Sequence, residues 1–331
     1  MTAMVGCDTN RPSLAQSREG TPTQPTDPQA VARQRTAAAI ARLRQERDAL
    51  KRAATAPAGH ASAATSHAAS PGSRKTASTR RPAPGPATGS TGTESFAALA
   101  RRIGGSIGLA YAPLGVGHPA KTMGQLHTGV SWSTMKVPVA IATIKQANGH
   151  PSPSTMALMR LAITESDNTA AMAMWSRLGT PTTAAAKTQA VLRAGGDNST
   201  VVPANTRRPG YTPFGQSDWP LAAQATFAAS LPCIANTNPV LALMAQVTPS
   251  QRWGVGSMGS TIAFKGGWGP GTDGKYLVRQ LAVVRVADGT RIGLAIASLP
   301  ADGQFQTGVN NLDAIAHWAA QHIRAGGRSG C

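Results

Sequence analysis

The chain has 331 residues, 41% of them hydrophobic, and a formal net charge of +18. A strongly positive balance favours anionic partners, but no aromatic residue precedes Phe96, so the basic N-terminal part has no rings to stack on bases and we expect no nucleic-acid partner. No stretch approaches the roughly eighteen apolar residues of a membrane span. No two His or Cys residues have metal-ligand spacing, so we expect no metal and no cofactor.

Residues 1–92 are basic and of low complexity, which predicts a tail in front of one domain of ordinary size. Residues 28–54 are rich in Ala, Arg, Gln and Leu and predict one solvated helix. Residues 55–92, dense in Ala, Pro, Ser, Thr and Gly, are typical of a disordered linker. We expect a solvated basic spacer, and attraction to anionic polymers of a cell envelope is the alternative.

The cysteines suggest export. The segment Met4-Val5-Gly6-Cys7, followed by a polar run, resembles the end of a bacterial lipoprotein signal, whose cysteine becomes the lipidated first residue. If the start codon lies upstream, the apolar part of that signal is missing from this sequence; the alternative is a cysteine without such a role. Cys233 and Cys331 are the two thiols of residues 93–331 and can close a disulfide in an oxidising compartment.

From residue 93 to residue 331 the hydrophobic pattern alternates between helix and strand. Thr91 and Glu94 fit a capping box at the start of this domain, and a helix over 96–103 and strands over 106–112 and 122–127 follow. The helices predicted next cover 134–147, 155–164, 168–178, 181–194, 220–230 and 239–246. The last elements are three strands and a helix, over 260–265, 276–286, 291–298 and 307–324. Strands at both ends imply one antiparallel five-stranded sheet with a helical lobe, an α/β (α+β) fold.

Three short strings supply the parts of a reaction centre, in order along the chain. In the first, Ser133-Thr-Met-Lys136, the serine and the lysine are three residues apart and share one face of a helical turn. A lysine amine can take the proton of a serine hydroxyl when burial and a nearby cation lower its pKa, and Lys265 is the candidate cation. The string alone is more typical of a capping serine followed by a solvated lysine.

The second and third strings supply a proton relay and an anion ligand. In Ser166-Asp167-Asn168, the serine can pass a proton between Lys136 and a leaving group and the asparagine can hold a substrate amide, although the string alone is typical of an N-cap with an Asx turn. Lys265-Gly266-Gly267 ends a predicted inner strand, where the lysine can meet a carboxylate. The three strings in this order indicate acyl transfer through a serine ester.

Around these strings the sequence resembles the penicillin-recognising serine hydrolases, and most closely their class A β-lactamase branch, over roughly residues 93–324. Residues 103–111 resemble the first helix and strand of that fold, and residues 162–171 the surroundings of its second motif. The resemblance implies a β-lactamase/transpeptidase-like fold. It further implies these roles: Ser133 as acylated nucleophile, Lys136 as its base, Ser166 as proton shuttle, Asn168 as amide ligand, Lys265 as carboxylate ligand, Gly266 and Gly267 beside the substrate, and the backbone N–H groups of Ser133 and Trp268 as oxyanion hole.

Two departures from the family pattern bear on activity. Gly266 stands where the family usually has a threonine or serine, so a hydroxyl that helps to hold the substrate carboxylate is missing. Class A enzymes hydrolyse their acyl-enzyme with a loop glutamate, but residues 198–217 contain no acidic residue. For Glu165 we expect a surface or capping role, and for Asp218 a cap of the helix that starts near residue 220. Acylation is therefore provided for, whereas fast deacylation of a β-lactam is not.

Further side chains are candidates for the surroundings of the site. Arg207, Arg208 and Tyr211 lie on a loop predicted to rim it, where they either contact substrate or are solvated. His127 is expected at a polar strand end. Three tryptophans flank the strings and either line a pocket or pack in the core: Trp132, Trp253 and Trp268.

The sequence therefore predicts an extracytoplasmic, penicillin-binding serine hydrolase that forms an acyl-enzyme at Ser133 with β-lactam or D-Ala-D-Ala-like substrates and deacylates slowly. A peptidoglycan D,D-peptidase or an esterase is the first alternative, because such enzymes use the same three strings without the loop glutamate. A catalytically idle cell-wall binding protein is the second. We expect a monomer whose partner is a small β-lactam-like or peptidoglycan-peptide-like substrate.

Overall fold

A computed structural model of the chain describes residues 94–325 and 330–331. The helix predicted over 28–54, the linker over 55–92 and Cys7 lie outside these residues. The division of the chain at residue 92 stays a prediction.

The sheet is built from both ends of the described chain. Its strands are β1 Ser106–Pro113, β2 Lys121–Gly124, β3 Thr261–Pro270, β4 Tyr276–Arg285 and β5 Arg291–Leu299. All neighbours are antiparallel, in the order β2-β1-β5-β4-β3. β1 and β5 pair at the centre, with Ser106 opposite Leu299 and Pro113 opposite Ile292. The predicted five-stranded antiparallel sheet is confirmed.

Helices cover both faces of the sheet, so its inner strands β1, β5 and β4 are buried along most of their length. On one face lie α1 Phe96–Ile103 and α8 Phe305–His322. In α8, four apolar residues recur at helical spacing and pack towards β4 and β5: Val309, Leu312, Ala316 and Ala319. On the other face, α6 Leu221–Ser230 packs on β1 and β5.

A helical lobe extends the second face. It consists of α2 Lys136–Gln146, α3 Pro153–Thr164, α4 Asn168–Arg177, α5 Pro181–Ala194 and α7 Asn238–Met244. The other four helices surround α2, and its residues from Lys136 to Ile144 are all buried. Because a helix that is apolar on every side needs such a setting, the lobe carries Lys136 into a dry interior.

The N-terminus of α1 and the place of β3 differ from the predictions. The capping box of Thr91 and Glu94 is wrong: α1 begins at Phe96, and the hydroxyl of its N-cap Ser95 accepts from the Ala98 N–H at 3.2 Å. Glu94 pairs instead with Arg102, at 2.9 Å. The expectation that Lys265-Gly266-Gly267 ends an inner strand is also wrong, because β3 is the edge strand and continues to Pro270.

Cys233 and Cys331 form a disulfide, with 5.0 Å between their Cα atoms. The sequence left this pairing open, and the structure confirms it. Cys233 lies in a short 3-10 turn directly after α6, so the bridge ties Cys331 to the layer that covers the sheet.

Two helical segments of the described residues approach the length and hydropathy of a membrane span only when they are taken together. No single helix is long and apolar enough, and the segments Leu221–Cys233 and Asn238–Met244 pass only as a pair bent by 118°.

Candidate active site

Ser133 lies in a 3-10 turn, Trp132–Met135, that leads directly into α2. The prediction of an α-helix from residue 134 therefore places its start slightly too early. The Ser131 hydroxyl donates towards the carbonyl oxygens of Phe214, at 3.3 Å, and Gly215, at 3.2 Å. Trp132 adopts a φ of +48°, which is uncommon for a residue with a side chain and is typical of functional sites. The nucleophile candidate thus lies on a tightly held turn.

Lys136 lies at the centre of the site. Its side chain is fully buried, and its Nζ is 2.9 Å from Ser133 Oγ. The same nitrogen is 2.5 Å from the Ser166 carbonyl oxygen, 3.2 Å from Ser166 Oγ and 2.8 Å from Asn168 Oδ1. The structure therefore brings the first two strings into direct contact.

The third string joins them through Ser166. Lys265 Nζ donates to Ser166 Oγ at 2.9 Å and to the Gly266 carbonyl at 2.8 Å. Ser166 has a φ of +62° and precedes the N-cap of α4, Asp167, whose carboxylate accepts from the Ala170 N–H at 2.7 Å. The N-cap expected from the string alone and the contact with both lysines are therefore realised in one turn.

Burial of the two lysines changes their protonation. Loss of solvent lowers the pKa of Lys136 to about 7, and the nearby Asp167 carboxylate opposes this shift. Burial likewise holds the pKa of Lys265 well below its usual value, with a further decrease from the positive charge of Lys136. An amine with a pKa near neutrality can exchange protons with Ser133 at physiological pH.

β3 packs so closely on the Ser133 turn that only glycine fits at residue 267. A side-chain carbon there would lie 2.8 Å from the backbone nitrogen of Ser133 and 2.9 Å from the carbonyl oxygen of Ser131. Trp268, the other residue expected to form the oxyanion hole, follows Gly267 in the strand.

At Gly266, a side chain would project from the opposite face of β3. A carbon added there would lie 3.1 Å from the Trp253 indole. Trp253 and Trp268 pack edge to face, with centroids 5.8 Å apart, and Phe305 of α8 lies 5.5 Å from Trp268. These two tryptophans thus belong to an aromatic layer under α8, which accounts for the glycine.

A buried arginine that the sequence analysis did not single out supports the Ser133 turn from behind. Arg279 of β4 is 0% exposed and donates to the carbonyl oxygens of Gly129, at 2.7 Å, and Trp219, at 3.0 Å, and to Gln224 Oε1 at 2.7 Å. Gln224 in turn donates to Thr134 Oγ1 at 3.0 Å. Burial lowers the pKa of Arg279 to about 9, against the pull of Asp218.

The loop of Arg207, Arg208 and Tyr211 lies beside Trp132. The rings of Tyr211 and Trp132 are 5.2 Å apart. Arg207 pairs with Asp218 at 3.1 Å, so the expectation that Asp218 caps the next helix is wrong; Pro220 occupies the N-cap position of α6 without a side-chain hydrogen bond.

The other acidic and histidine candidates lie at the surface. Glu165 is exposed at the C-terminal end of α3, where its backbone carbonyl accepts from Gln251 Nε2 at 3.0 Å. His127 is exposed beyond the end of β2. Within residues 94–325 and 330–331, no three His, Cys, Asp or Glu side chains converge as metal ligands would.

Comparison with known proteins identifies the fold. A β-lactamase from Chitinophaga pinensis DSM 2588 matches with a TM-score of 0.53 at 16% identity, over 67% of this chain and 95% of its own. A variant of the TLA-1 extended-spectrum β-lactamase matches with a TM-score of 0.52 at 12% identity, over 68% and 98%. The TLA-3 extended-spectrum β-lactamase matches with a TM-score of 0.51 at 12% identity, over 69% and 100%. No protein-family model and no curated protein matches the chain.

The chain therefore has the β-lactamase fold, which confirms the predicted β-lactamase/transpeptidase-like architecture. At these identities the likeness concerns the fold alone, and the reaction is inferred from the residues of the site.

Proposed function

We propose that the protein is a serine hydrolase that forms an acyl-enzyme at Ser133 with β-lactam or D-Ala-D-Ala-like substrates. The supporting observation is the buried Lys136 amine, 2.9 Å from Ser133 Oγ and with a pKa of about 7. A neutral amine in this position can act as the general base that a serine nucleophile requires.

The proton transfers follow from the contacts. As Ser133 Oγ attacks the substrate carbonyl carbon, its proton moves to Lys136, and the developing oxyanion accepts from the N–H groups of Ser133 and Trp268. When the bond to the leaving group breaks, Ser166 Oγ gives that group a proton. Ser166 then recovers a proton from Lys136 Nζ, 3.2 Å away, so Lys136 ends the step neutral, as it began.

Lys265, Asn168 and the glycines complete the proposed site. Lys265 Nζ is bonded to Ser166 Oγ at 2.9 Å, which orients the relay hydroxyl, and we propose this role in addition to contact with a substrate carboxylate. Asn168 is exposed beside Lys136, where its amide can hold a substrate amide. Gly267 lets β3 lie close to the Ser133 turn, and we propose that substrate backbone binds along the edge of β3 beside Gly266 and Gly267.

Labelling with a fluorescent penicillin tests the nucleophile. Wild-type protein should gain one penicilloyl group per chain, and Ser133→Ala should gain none, because the hydroxyl that forms the ester is gone. Intact-mass spectrometry measures the adduct. Ser176→Ala, an exposed serine of α4, is the matched control and should label like the wild type. Labelling of Ser133→Ala would remove the assignment, and an absence of labelling in the wild type would favour the idle binding protein.

We further propose that deacylation is slow. Residues 198–217 contain no acid to activate water, and Asp218 is paired with Arg207. Loss of such a base costs about 10²- to 10⁴-fold in rate. Stopped-time mass spectrometry should therefore find the Ser133 adduct persisting for minutes while a chromogenic cephalosporin turns over slowly. Rapid turnover without a detectable adduct would contradict this and assign deacylation to another group.

The missing acid equally favours a D,D-peptidase or esterase, in which another acceptor takes the acyl group.

We also propose an extracytoplasmic location. The Cys233–Cys331 bridge supports it, because disulfides persist in oxidising compartments. There the basic tail would meet anionic envelope polymers, and the protein would act as a monomer on small peptide-like substrates.

A further inference from the structure

We propose that Arg208, held above Trp132 and Tyr211, binds an anionic group on the acyl side of the substrate, so that acyl donors with a carboxylate on their side chain are preferred. This inference rests on the proposed acyl transfer at Ser133, because it needs a direction for the bound substrate.

Contacts along β3 give that direction. Lys265 lies at Ser166, Gly267 lies at the backbone of Ser133, and a carbon added at Gly269 would lie 2.7 Å from the Trp132 ring. The leaving group must lie at Ser166, which supplies its proton. The acyl portion therefore extends from Ser133 in the other direction, along β3 towards Gly269, the residue that lies against Trp132.

Arg208 lies beside Trp132, the residue that precedes Ser133. Its guanidinium carbon is 4.2 Å from the centre of the Tyr211 ring and 5.8 Å from that of Trp132. The group is half-buried, and it donates no hydrogen bond to any residue that the structure describes. Arg207, the preceding residue, differs in that it pairs with Asp218 at 3.1 Å.

A guanidinium group is a permanent cation with five donors in a fixed fork, which matches a carboxylate. Stacking on the two rings orients the group without using any donor. An arginine oriented in this way can direct its donors to a carboxylate.

The same short segment fixes this arginine and the nucleophile turn. Gln216 is 6% exposed; its Oε1 accepts from the Arg208 N–H at 2.7 Å, and its Nε2 donates to the Arg208 and Thr212 carbonyl oxygens at 3.3 and 3.2 Å. Gln216 ends the 3-10 turn Phe214–Gln216, and two carbonyls of that turn accept from Ser131. Arg208 is thus held by its backbone relative to Ser133, and a change of its side chain leaves those hydrogen bonds in place.

Three penicillins with related side chains test the inference on the full chain. Benzylpenicillin has a neutral acyl side chain, carbenicillin carries an added carboxylate on it, and ampicillin carries an amine. The measurement is the second-order rate constant of Ser133 acylation, followed by intact-mass spectrometry. Wild-type protein should react with carbenicillin about tenfold faster than with benzylpenicillin, the effect of one charge-assisted hydrogen bond, and slowest with ampicillin.

The variants separate this role from a general effect on folding. Arg208→Gln should bring the carbenicillin-to-benzylpenicillin ratio close to one, Arg208→Lys should keep part of the preference, and the matched control Arg207→Gln should keep the wild-type ratio. A ratio unchanged in Arg208→Gln, or lost equally in Arg207→Gln, overturns the inference while acylation itself stands. If no penicillin acylates the wild type, the proposed function fails and this inference fails with it.

Discussion

Replacement of Lys136 by alanine should slow acylation of Ser133 by about a thousandfold, within the range of about 10² to 10⁴ that a general base contributes. Lys136 Nζ lies 2.9 Å from Ser133 Oγ, close enough to accept the proton of the hydroxyl. Without it, the hydroxyl must lose its proton to water. Single-turnover labelling with a fluorescent penicillin measures the rate constant.

Lys145 provides the matched control, because it lies on the same helix α2 with its side chain exposed. Lys145→Ala should acylate at the wild-type rate and melt at the same temperature. If Lys136→Ala retained the wild-type rate, the proton acceptor would be another group and the proposed mechanism would be wrong.

The pH dependence of acylation should also identify Lys136 as the general base. Burial lowers the pKa of Lys136 to about 7, so the uncharged amine that accepts a proton accumulates as pH rises through that value. The rate constant should therefore rise up to about pH 7 and level off above it. Asp167 opposes the shift, so Asp167→Asn, which can still cap α4, should move the rise to lower pH.

Contacts between residues close in sequence were predictable, because each pair lies within one short sequence motif. Ser133 and Lys136 share one turn and Ser166 precedes an N-cap, but each string alone is typical of a helix cap, and the order of the three strings together indicated their chemistry. The contact between Ser166 and Lys265 crosses 99 residues and was not predicted, because the sequence indicated Lys265 only as a cation near Lys136 and as a carboxylate ligand.

The order of the strands and the buried Arg279 behind the Ser133 turn were harder to predict. Periodicity identifies a strand but not its neighbours, so the sequence predicts β3 as an inner strand although it lies at the edge. Arg279 contacts Gly129, 150 residues away, so no local pattern reveals the bond. One signal was present: Arg279 and Gln280 interrupt an apolar strand in which a buried charge requires partners.

The second large effect concerns that arginine. Replacement of Arg279 by methionine should lower the free energy of unfolding by about 3–5 kcal/mol, because three buried acceptors lose their donor at about 1–3 kcal/mol each, partly offset by the removal of a buried charge. The unbranched side chain occupies a similar volume but leaves the Gly129 and Trp219 carbonyls and Gln224 Oε1 without their donor. Chemical denaturation measures the loss.

Arg291→Met is the control, since Arg291 is exposed on the neighbouring strand β5, and it should change the unfolding free energy by less than about 0.5 kcal/mol. Arg279→Met should also acylate more slowly, because Gly129 leads into the Ser133 turn and Gln224 holds Thr134. Arg279→Lys should restore the stability only in part, because one ammonium group cannot reach all the carbonyls that the planar guanidinium contacts in two directions.

A methionine variant as stable as the wild type would mean that the desolvation of Arg279, whose Nε has no partner among the described residues, cancels its hydrogen bonds. In that case the arginine would serve to fix the position of the nucleophile turn, and only the acylation rate would respond to its removal.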